Sequence, residues 1–556
     1  MTEQSEQEGA AISTVYKLFA ESAQKFGDHP FIELVSDTAQ RYGEAPCTHT
    51  YKQALDDVQR LSGYYASLGI VVGDRVGLGL ENRIEAFTHW LALNALGASV
   101  VPFNPQWRVG ELEYVLEHSE LCLAACLSHG VGLIEQAISA VARDVKLVDV
   151  SLLDDETLSL SQASVASEAG SEIDSATECA LLYTSGTTGR PKGCMLSNEY
   201  FLSTGAWYRD IGGLCELRPG KEKLITPLPM YHMNAMATST MGMILTGGCI
   251  VPLDRFHPST FWASIEESQP TVLHYLGVMP VMLMGMDSVP QERTHQIRFG
   301  FGAGLSGELH TQFEERFGFK LIEAWAMSET GCTVAVIANK EPRQVGTACF
   351  GVPGSHIDYR IVDDQGVDVK KGDAGELLVR RQGDNPRYGF FSGYLKDEAA
   401  TNAAWEGGYF HTGDLIRQDE SGAMHFVDRK KNVIRRSGEN ISAIEVEDIL
   451  MEHPDVRAVA VTAVPDEMRG DEVCACVVSK VPAERWPETA RSIVTHCLSR
   501  LAYYKAPGYV VRFDELPLTA TEKLARADLK VLAAERVHSQ DCENMLSLKA
   551  DKTNRG

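Results

Sequence analysis

The run from Leu181 to Ser197, Leu-Leu-Tyr-Thr-Ser-Gly-Thr-Thr-Gly-Arg-Pro-Lys-Gly-Cys-Met-Leu-Ser, sets glycines, hydroxyls, an arginine and a lysine directly behind an apolar stretch. Those residue types bind phosphate. Glycines such as Gly186 and Gly189 let the backbone approach oxyanions, Thr184, Ser185, Thr187 and Thr188 supply short donors, and Lys192 adds a positive charge on a long arm. The string is not a Walker A loop, because Pro191 stands where that motif needs glycine before the lysine and Gly193 where it needs Ser or Thr. By composition alone it also fits an ordinary Ser/Gly/Thr connection. The order of the residues carries the assignment.

Five further strings hold chemistry-bearing residues: Pro229-Met-Tyr-His-Met-Asn-Ala-Met-Ala, Gly300-Phe-Gly-Ala-Gly-Leu-Ser-Gly, Glu323-Ala-Trp-Ala-Met-Ser-Glu-Thr, Gly408-Tyr-Phe-His-Thr-Gly-Asp-Leu, and a basic run with five cations between Arg429 and Arg436. Singly, each has a bland reading. A lone histidine among apolar residues usually packs in the core, a Gly-rich string is usually a turn, and Thr-Gly-Asp usually caps one. A charge run is usually a solvated face. In so acidic a chain the basic run nevertheless suits a local anion site.

Taken together and in this order, the strings resemble the adenylate-forming superfamily of acyl-CoA synthetases, luciferases and peptide-synthetase adenylation domains, with Tyr183 to Gly193 as its signature loop. The resemblance implies a role for each string. Tyr231, His232 and Asn234 line the carboxylate pocket, and Ala303 and Gly304 leave room for adenine, with Gly304 also beside the acyl group. Trp325 fills the family's aromatic position at the nucleotide and substrate, followed by Ala326, while Ser328 gives a phosphate hydroxyl and Glu329 is the magnesium ligand. Asp414 takes the ribose hydroxyls and Arg429 a ribose or phosphate contact. Lys431 is the pivot of a mobile domain, and Ser437, Gly438 and Glu439 serve the coenzyme A thiol channel. In Leu516-Pro-Leu-Thr-Ala-Thr-Glu-Lys-Leu-Ala-Arg, Lys523 falls on the catalytic lysine. The chain departs from the pattern at Trp325 (usually Tyr), at Ala326 (usually Gly), whose methyl narrows the pocket, and at Glu522 (usually Gly), whose charge can pair with Lys523 away from ATP. The hinge text is most like that of crotonobetaine/carnitine-CoA ligases and related short- to medium-chain acyl-CoA ligases.

The elements that must position these residues follow from periodicity. Val15 to Phe26 and the stretch after Tyr51 have one apolar face each. Arg75 to Leu80 reads as a strand, Ile84 to Leu96 as a helix and Ala98 to Pro102 as a strand, the alternation of a largely parallel sheet. Leu152 to Thr177 reads as a surface connection. From Gly346 to Phe426 short alternating runs imply a β-rich subdomain, and after Asp428 helices (Ala443 to Glu452, Pro487 to Leu501) and strands (Val456 to Val464, Val473 to Val478) imply a small α+β module. The expected architecture is α/β and multidomain. Residues 1–430 form a large N-terminal domain of two α/β subdomains plus a β-rich one, 431–540 a small mobile C-terminal domain, and 541–556 a mobile tail.

At 556 residues at least two domains are expected. A formal charge of −25 speaks against nucleic acid as a partner. The scattered cysteines, such as Cys122/Cys126 and Cys474/Cys476, form no zinc pattern and suit a reducing compartment. The acidic N-terminus lacks a secretory signal, Leu91 to Phe103 is too short to span a bilayer, and the C-terminus carries no peroxisomal address, so a cytoplasmic protein without stable membrane insertion is expected. The resemblance implies ATP, Mg2+ and coenzyme A as cofactors and a small-molecule carboxylic acid as substrate, with monomer and dimer both open. Two other readings are an adenylation enzyme that loads a carrier protein and a non-catalytic relative. No carrier segment follows Lys530, and the joint presence of Lys192, Glu329, Asp414, Arg429 and Lys523 opposes the second.

Overall fold

The alternating strands and helices become two open sheets in the computed structural model, which describes residues 13–160, 172–184, 191–305, 307–436, 439–466, 470–501, 503–518 and 524–553. Helix Val15–Phe26 begins where the Thr14 hydroxyl accepts the Lys17 N–H, and helix Tyr51–Ser67 begins at a reciprocal Thr50/Gln53 capping box. Strand Arg75–Gly79, helix Ile84–Ala95 and strand Ser99–Pro102 follow as their periodicity predicts. Of the expected connection 152–177, residues 155–160 are a short helix and 161–171 lie outside the described residues.

By its contacts the chain divides into two compact units, Met1–Asp358 with Val379–Phe410, and Tyr359–Leu378 with His411–Gly556. In the first unit one sheet runs in the order 331–337, 320–327, 299–302, 272–274, 223–226, 249–252, 30–34, 47–50, parallel except at its two ends. The other runs 393–394, 192–197, 178–184, 99–102, 75–79, 123–126, 146–149, antiparallel only across its first three strands. Parallel interiors need apolar strands covered by helices. Accordingly Ile225, Val251, Leu273 and Leu321 pack with Phe261, Leu283, Phe313 and Phe317, and Val101, Ala124 and Leu181 pack with Leu112, Leu116 and Ile134. Among the described residues no helix is long and apolar enough to cross a membrane.

Most residues of strands Ile357–Val362, Ala374–Arg381, Phe410–Gln418 and Met424–Arg429, which lie side by side in this order, belong to the second unit. The following module joins strands 439–441, 434–436, 470–479, 509–513 and 542–544, with Val456–Asp466 paired to 470–479 and helices Ala443–Met451 and Trp486–Leu498 packed on them. Within the expected tail, 541–556, Cys542–Asn544 pairs with Tyr509–Phe513 and helix Leu546–Thr553 follows, while 554–556 lie outside the described residues. What holds it is not apparent in its polar composition. Lys549, 3 % exposed, places Nζ 2.6 Å from Glu472 Oε1, while Arg436 Nε lies 2.8 Å from Glu472 Oε2. Removing one member of a buried ion cluster leaves an uncompensated charge. Lys549→Ala is therefore expected to lower the stability of this unit by on the order of 3 kcal/mol, read as a drop in its urea midpoint.

Candidate functional site

The phosphate string is built on a hairpin. Strand Glu178–Thr184 pairs antiparallel with Lys192–Ser197, so Thr184 faces Lys192 across the ladder, with the Thr184 hydroxyl 3.5 Å from the Lys192 carbonyl. Ser185, Gly186, Thr187, Thr188 and Gly189 lie outside the described residues. The next strand, Gly393–Tyr394, pairs Tyr394 with Cys194 and brings its ring under Lys192, whose Nζ is 4.8 Å from the ring centroid and 3.6 Å from Asp397 Oδ2.

Glu329 comes to the same place from the other sheet. Strands Lys320–Met327 and Gly331–Ile337 form a second hairpin whose turn carries Ser328 and Glu329, closed by Met327 and Thr330: the Met327 N–H donates to the Thr330 hydroxyl (3.1 Å) and the Thr330 N–H to the Met327 carbonyl (3.2 Å). Gly331 leaves this turn at φ +56°, and a Cβ there would stand 2.7 Å from the Gly389 carbonyl oxygen. Glu329 is 9 % exposed, and its carboxylate accepts the Tyr394 O–H at 2.9 Å through Oε1. Burial and the adjacent Glu329 charge push the Tyr394 phenol well up, so it stays a donor. Among the described residues no three His, Cys, Asp or Glu side chains gather as a metal cage. One carboxylate with an oxygen to spare fits magnesium, which takes its remaining ligands from phosphate and water.

Ala303 and Gly304 sit where strand Phe299–Gly302 ends. The Gly277 N–H donates to the Ala303 carbonyl (3.0 Å), and a Cβ on Gly277 would stand 1.9 Å from the Gly304 carbonyl oxygen, so only glycine allows this approach. Glu323 braces the turn from below, accepting the Gly304 N–H (3.1 Å) and the Tyr275 hydroxyl (3.0 Å). Two residues on, Trp325 is buried and packs near Phe350 (centroids 6.3 Å), while Ala326 is half-buried on the opposite face of the strand.

Tyr231 and His232 are half-buried with rings 4.8 Å apart, just before a π-helical turn, Asn234–Ser239. Asn82 holds the approach to this turn, donating to the carbonyls of Leu228 and Leu253 and accepting the Met230 N–H. Behind the turn lies a polar chain in which Tyr208, His274 and Ser239 are buried and Asn234 is half-buried. Ser239 donates to the Asn234 carbonyl (3.0 Å), so His274 Nδ1 is the donor to Asn234 Oδ1 and Ser239 Oγ, each 2.8 Å away, and Nε2 accepts the Tyr208 hydroxyl (2.7 Å). Trp207 packs with Tyr208 and Phe301.

In the second unit strands Phe410–Gln418 and Met424–Arg429 place Asp414 directly opposite Arg429, with Arg429 Nε 2.7 Å from Asp414 Oδ1. Asp414 is fully buried whereas the Arg429 side chain is 40 % exposed. Lys430 pairs with Glu376 (2.9 Å). Asp428 is buried under the hinge text: it accepts the Ala443 N–H (2.8 Å) and the Ser442 hydroxyl (3.1 Å), capping helix Ala443–Met451. Lys431 follows in a short 3-10 turn, and Glu439 opens strand Glu439–Ile441, paired opposite Arg436. Ser437, Gly438, Glu522 and Lys523 lie outside the described residues. The described ends of the lysine loop meet in a bridge between Leu518 and Leu524, and Arg526 fixes them by a two-pronged pair with Glu447 (2.9 and 2.8 Å).

Thr184, Lys192, Ser328 and Glu329 are thus brought into one unit with Ala303, Gly304, Trp325 and the Tyr231–Asn234 segment, and Asp414 and Arg429 into a pair in the other. Tyr394, Asp397, Asn82, His274, Glu323 and Asp428 were not singled out as site residues from the sequence. Tyr394 is 65 positions from Glu329, and no local spacing links them.

The sequence pattern that defines AMP-binding enzymes matches residues 19–395, and that of the AMP-binding enzyme C-terminal domain matches 445–523. A crotonobetaine/carnitine–CoA ligase of Salmonella paratyphi A is 29% identical over 492 residues, 86% of this chain and 93% of that protein. ATP-bound MatB from Rhodopseudomonas palustris has the same fold at a TM-score of 0.77 and 24% identity, covering 94% of this chain and 99% of the other. So does the o-succinylbenzoate CoA synthetase MenE from Bacillus subtilis in complex with its acyl-adenylate intermediate, at 0.75 and 24%, covering 92% and 97%.

Burial pushes His274 down to about 3 from 6.5. Between those values the unfolded chain binds a proton that the folded chain refuses, so this group removes stability as pH falls through the window, by up to about 1.4 kcal/mol per pH unit. His274→Gln is expected to lessen the loss of urea stability between pH 7 and pH 5.

Proposed function

Because the chain belongs to the family of AMP-binding enzymes, we propose that it activates a carboxylic acid with ATP as acyl-AMP and pyrophosphate, then transfers the acyl group to coenzyme A with release of AMP. A carboxylate does not react with a thiol directly because oxide would have to leave, and AMP is a far better leaving group. The observation that carries the reading is the convergence of Thr184, Lys192 and Glu329 at the meeting of two hairpins.

Lys192 and the donors from Thr184 to Thr188 hold the phosphates, with Ser328 as a further hydroxyl. Glu329 holds magnesium, which offsets phosphate charge as the carboxylate attacks. His232 and Tyr231 flank the acid, Asn234 and Gly304 border its acyl group, and Ala303, Gly304 and the strand end that carries Trp325 and Ala326 on its two faces border the base. Asp414 takes the ribose hydroxyls and Arg429 a ribose or phosphate oxygen. Lys523 stabilises the charge that develops at the α-phosphate. The C-terminal domain, 431–540, turns about Lys431 between the half-reactions, withdrawing Lys523 and presenting Ser437, Gly438 and Glu439 to the thiol.

The acid is a small molecule. A quaternary amine such as carnitine calls for a carboxylate or an aromatic cage, yet 230–237 contains no acid and Trp207 and Trp325 pack in separate ring clusters. The setting is the cytoplasm, in keeping with cysteines that carry no disulfide among the described residues.

Lys523→Ala is expected to cut acyl-AMP formation about 100-fold while sparing thiolation of supplied acyl-AMP; equal loss of both half-reactions would overturn the division. Pyrophosphate release across a panel of acids, with coenzyme A or a carrier protein as acceptor, tests the substrate and the acceptor. Turnover with coenzyme A is the expected result, and turnover with the carrier alone would replace the reading by carrier loading.

A further inference from the structure

We propose that Tyr394 is a positioning residue that holds Glu329 and Lys192 apart and ready, each on a different part of one phenol. The inference rests on the reading that Glu329 holds the metal and Lys192 the phosphates.

A carboxylate and an ammonium placed near one another in a partly buried site tend to pair, and a Glu329–Lys192 pair would quench both groups. The phenol prevents this. Its O–H donates to Glu329 Oε1 at 2.9 Å, which fixes the carboxylate and leaves Oε2 for a cation. Its ring face carries the Lys192 ammonium at 4.8 Å from the centroid, a favourable cation–π distance. Asp397, whose N–H donates to the Tyr394 carbonyl (3.2 Å), completes the arrangement by holding Lys192 Nζ at 3.6 Å. The Lys192 and Asp397 side chains are 33 % and 39 % exposed, so their attraction is weak and an arriving phosphate can replace it. The Tyr394 backbone is pinned opposite Cys194, two residues from Lys192, so the spacer is registered to the phosphate hairpin itself. Its N–H is fixed as well, donating to the Thr401 hydroxyl at 2.9 Å.

The geometry predicts separable effects. Partners that orient a metal ligand are worth about 10- to 100-fold in metal affinity. Tyr394→Phe keeps the ring and loses the donor. It is expected to weaken Mn2+ binding about tenfold in the complex with a non-hydrolysable ATP analogue, followed by the electron paramagnetic resonance of free Mn2+, with metal-free analogue affinity by calorimetry unchanged. Asp397→Asn is expected to tighten metal-free analogue binding about threefold, since Lys192 is then held by the ring alone. Glu329→Gln separates the two ideas. If it leaves Mn2+ affinity unchanged, the assignment of the metal to Glu329 fails. If it weakens Mn2+ while Tyr394→Phe binds Mn2+ as tightly as the wild type, the positioning role of Tyr394 is overturned. Parallel losses of metal-free analogue affinity and thermal midpoint in Tyr394→Phe would overturn it too, by showing a merely structural role.

Discussion

A chain with 76 acidic and 51 basic residues that binds a triphosphate has to keep its few site cations from being neutralised by its own carboxylates. Attraction between opposite charges falls steeply with hydration, so the solution is one of placement. Lys192 rests on an aromatic face and on a half-exposed aspartate instead of on the buried Glu329. Arg429 meets the buried Asp414, but from a partly exposed side chain. Each of these two cations has an acidic partner, and neither pair is buried on both sides. Fully buried ion clusters occur elsewhere, as in Arg436–Glu472–Lys549, where permanence serves the fold.

This placement depends on antiparallel hairpins grafted on parallel sheets. Parallel interiors are near-continuous apolar runs and leave little polar surface to carry chemistry. The described site groups of the first unit cluster where the sheets turn antiparallel or end: Thr184 opposite Lys192, Glu329 in the turn after Met327, and Ala303 and Gly304 beyond strand Phe299–Gly302. Asp414 and Arg429 repeat the device in the second unit through a cross-strand register. A ladder fixes its residues to within the tolerance that transition-state stabilisation demands, whereas an unsupported loop does not.

The segment proposed for the acyl side is built differently. Behind Tyr231, His232 and Asn234 there is no buried charge in the chain Tyr208–His274–Asn234–Ser239, only a neutral imidazole held in one tautomer by its neighbours. A satisfied neutral network of this kind rigidifies the turn it supports. The π-helical turn that carries it is a geometry found disproportionately at functional positions. Family membership thus bears on the nucleotide half of the reaction more than on the acid, because the residues proposed for the nucleotide lie in short strings with a fixed order and those proposed for the acid are scattered over several elements.

What the amino-acid order determined by itself was therefore the part encoded locally. Periodicity marked helices Val15–Phe26 and Ala443–Met451 and strands Arg75–Gly79 and Ile357–Val362, and the ordered strings singled out Thr184, Lys192, Glu329 and Asp414 as the residues proposed for the nucleotide. Contacts between residues far apart in the chain were decided only in three dimensions. Tyr394 reaches Glu329 because two different sheets meet, Asp428 caps a helix that starts fifteen residues later, and Lys549 turns a polar C-terminal segment into a strand and helix by burying its charge on Glu472. Such partners leave no spacing signature, since a hydrogen bond or ion pair depends on where the backbone places two side chains and not on how many residues separate them.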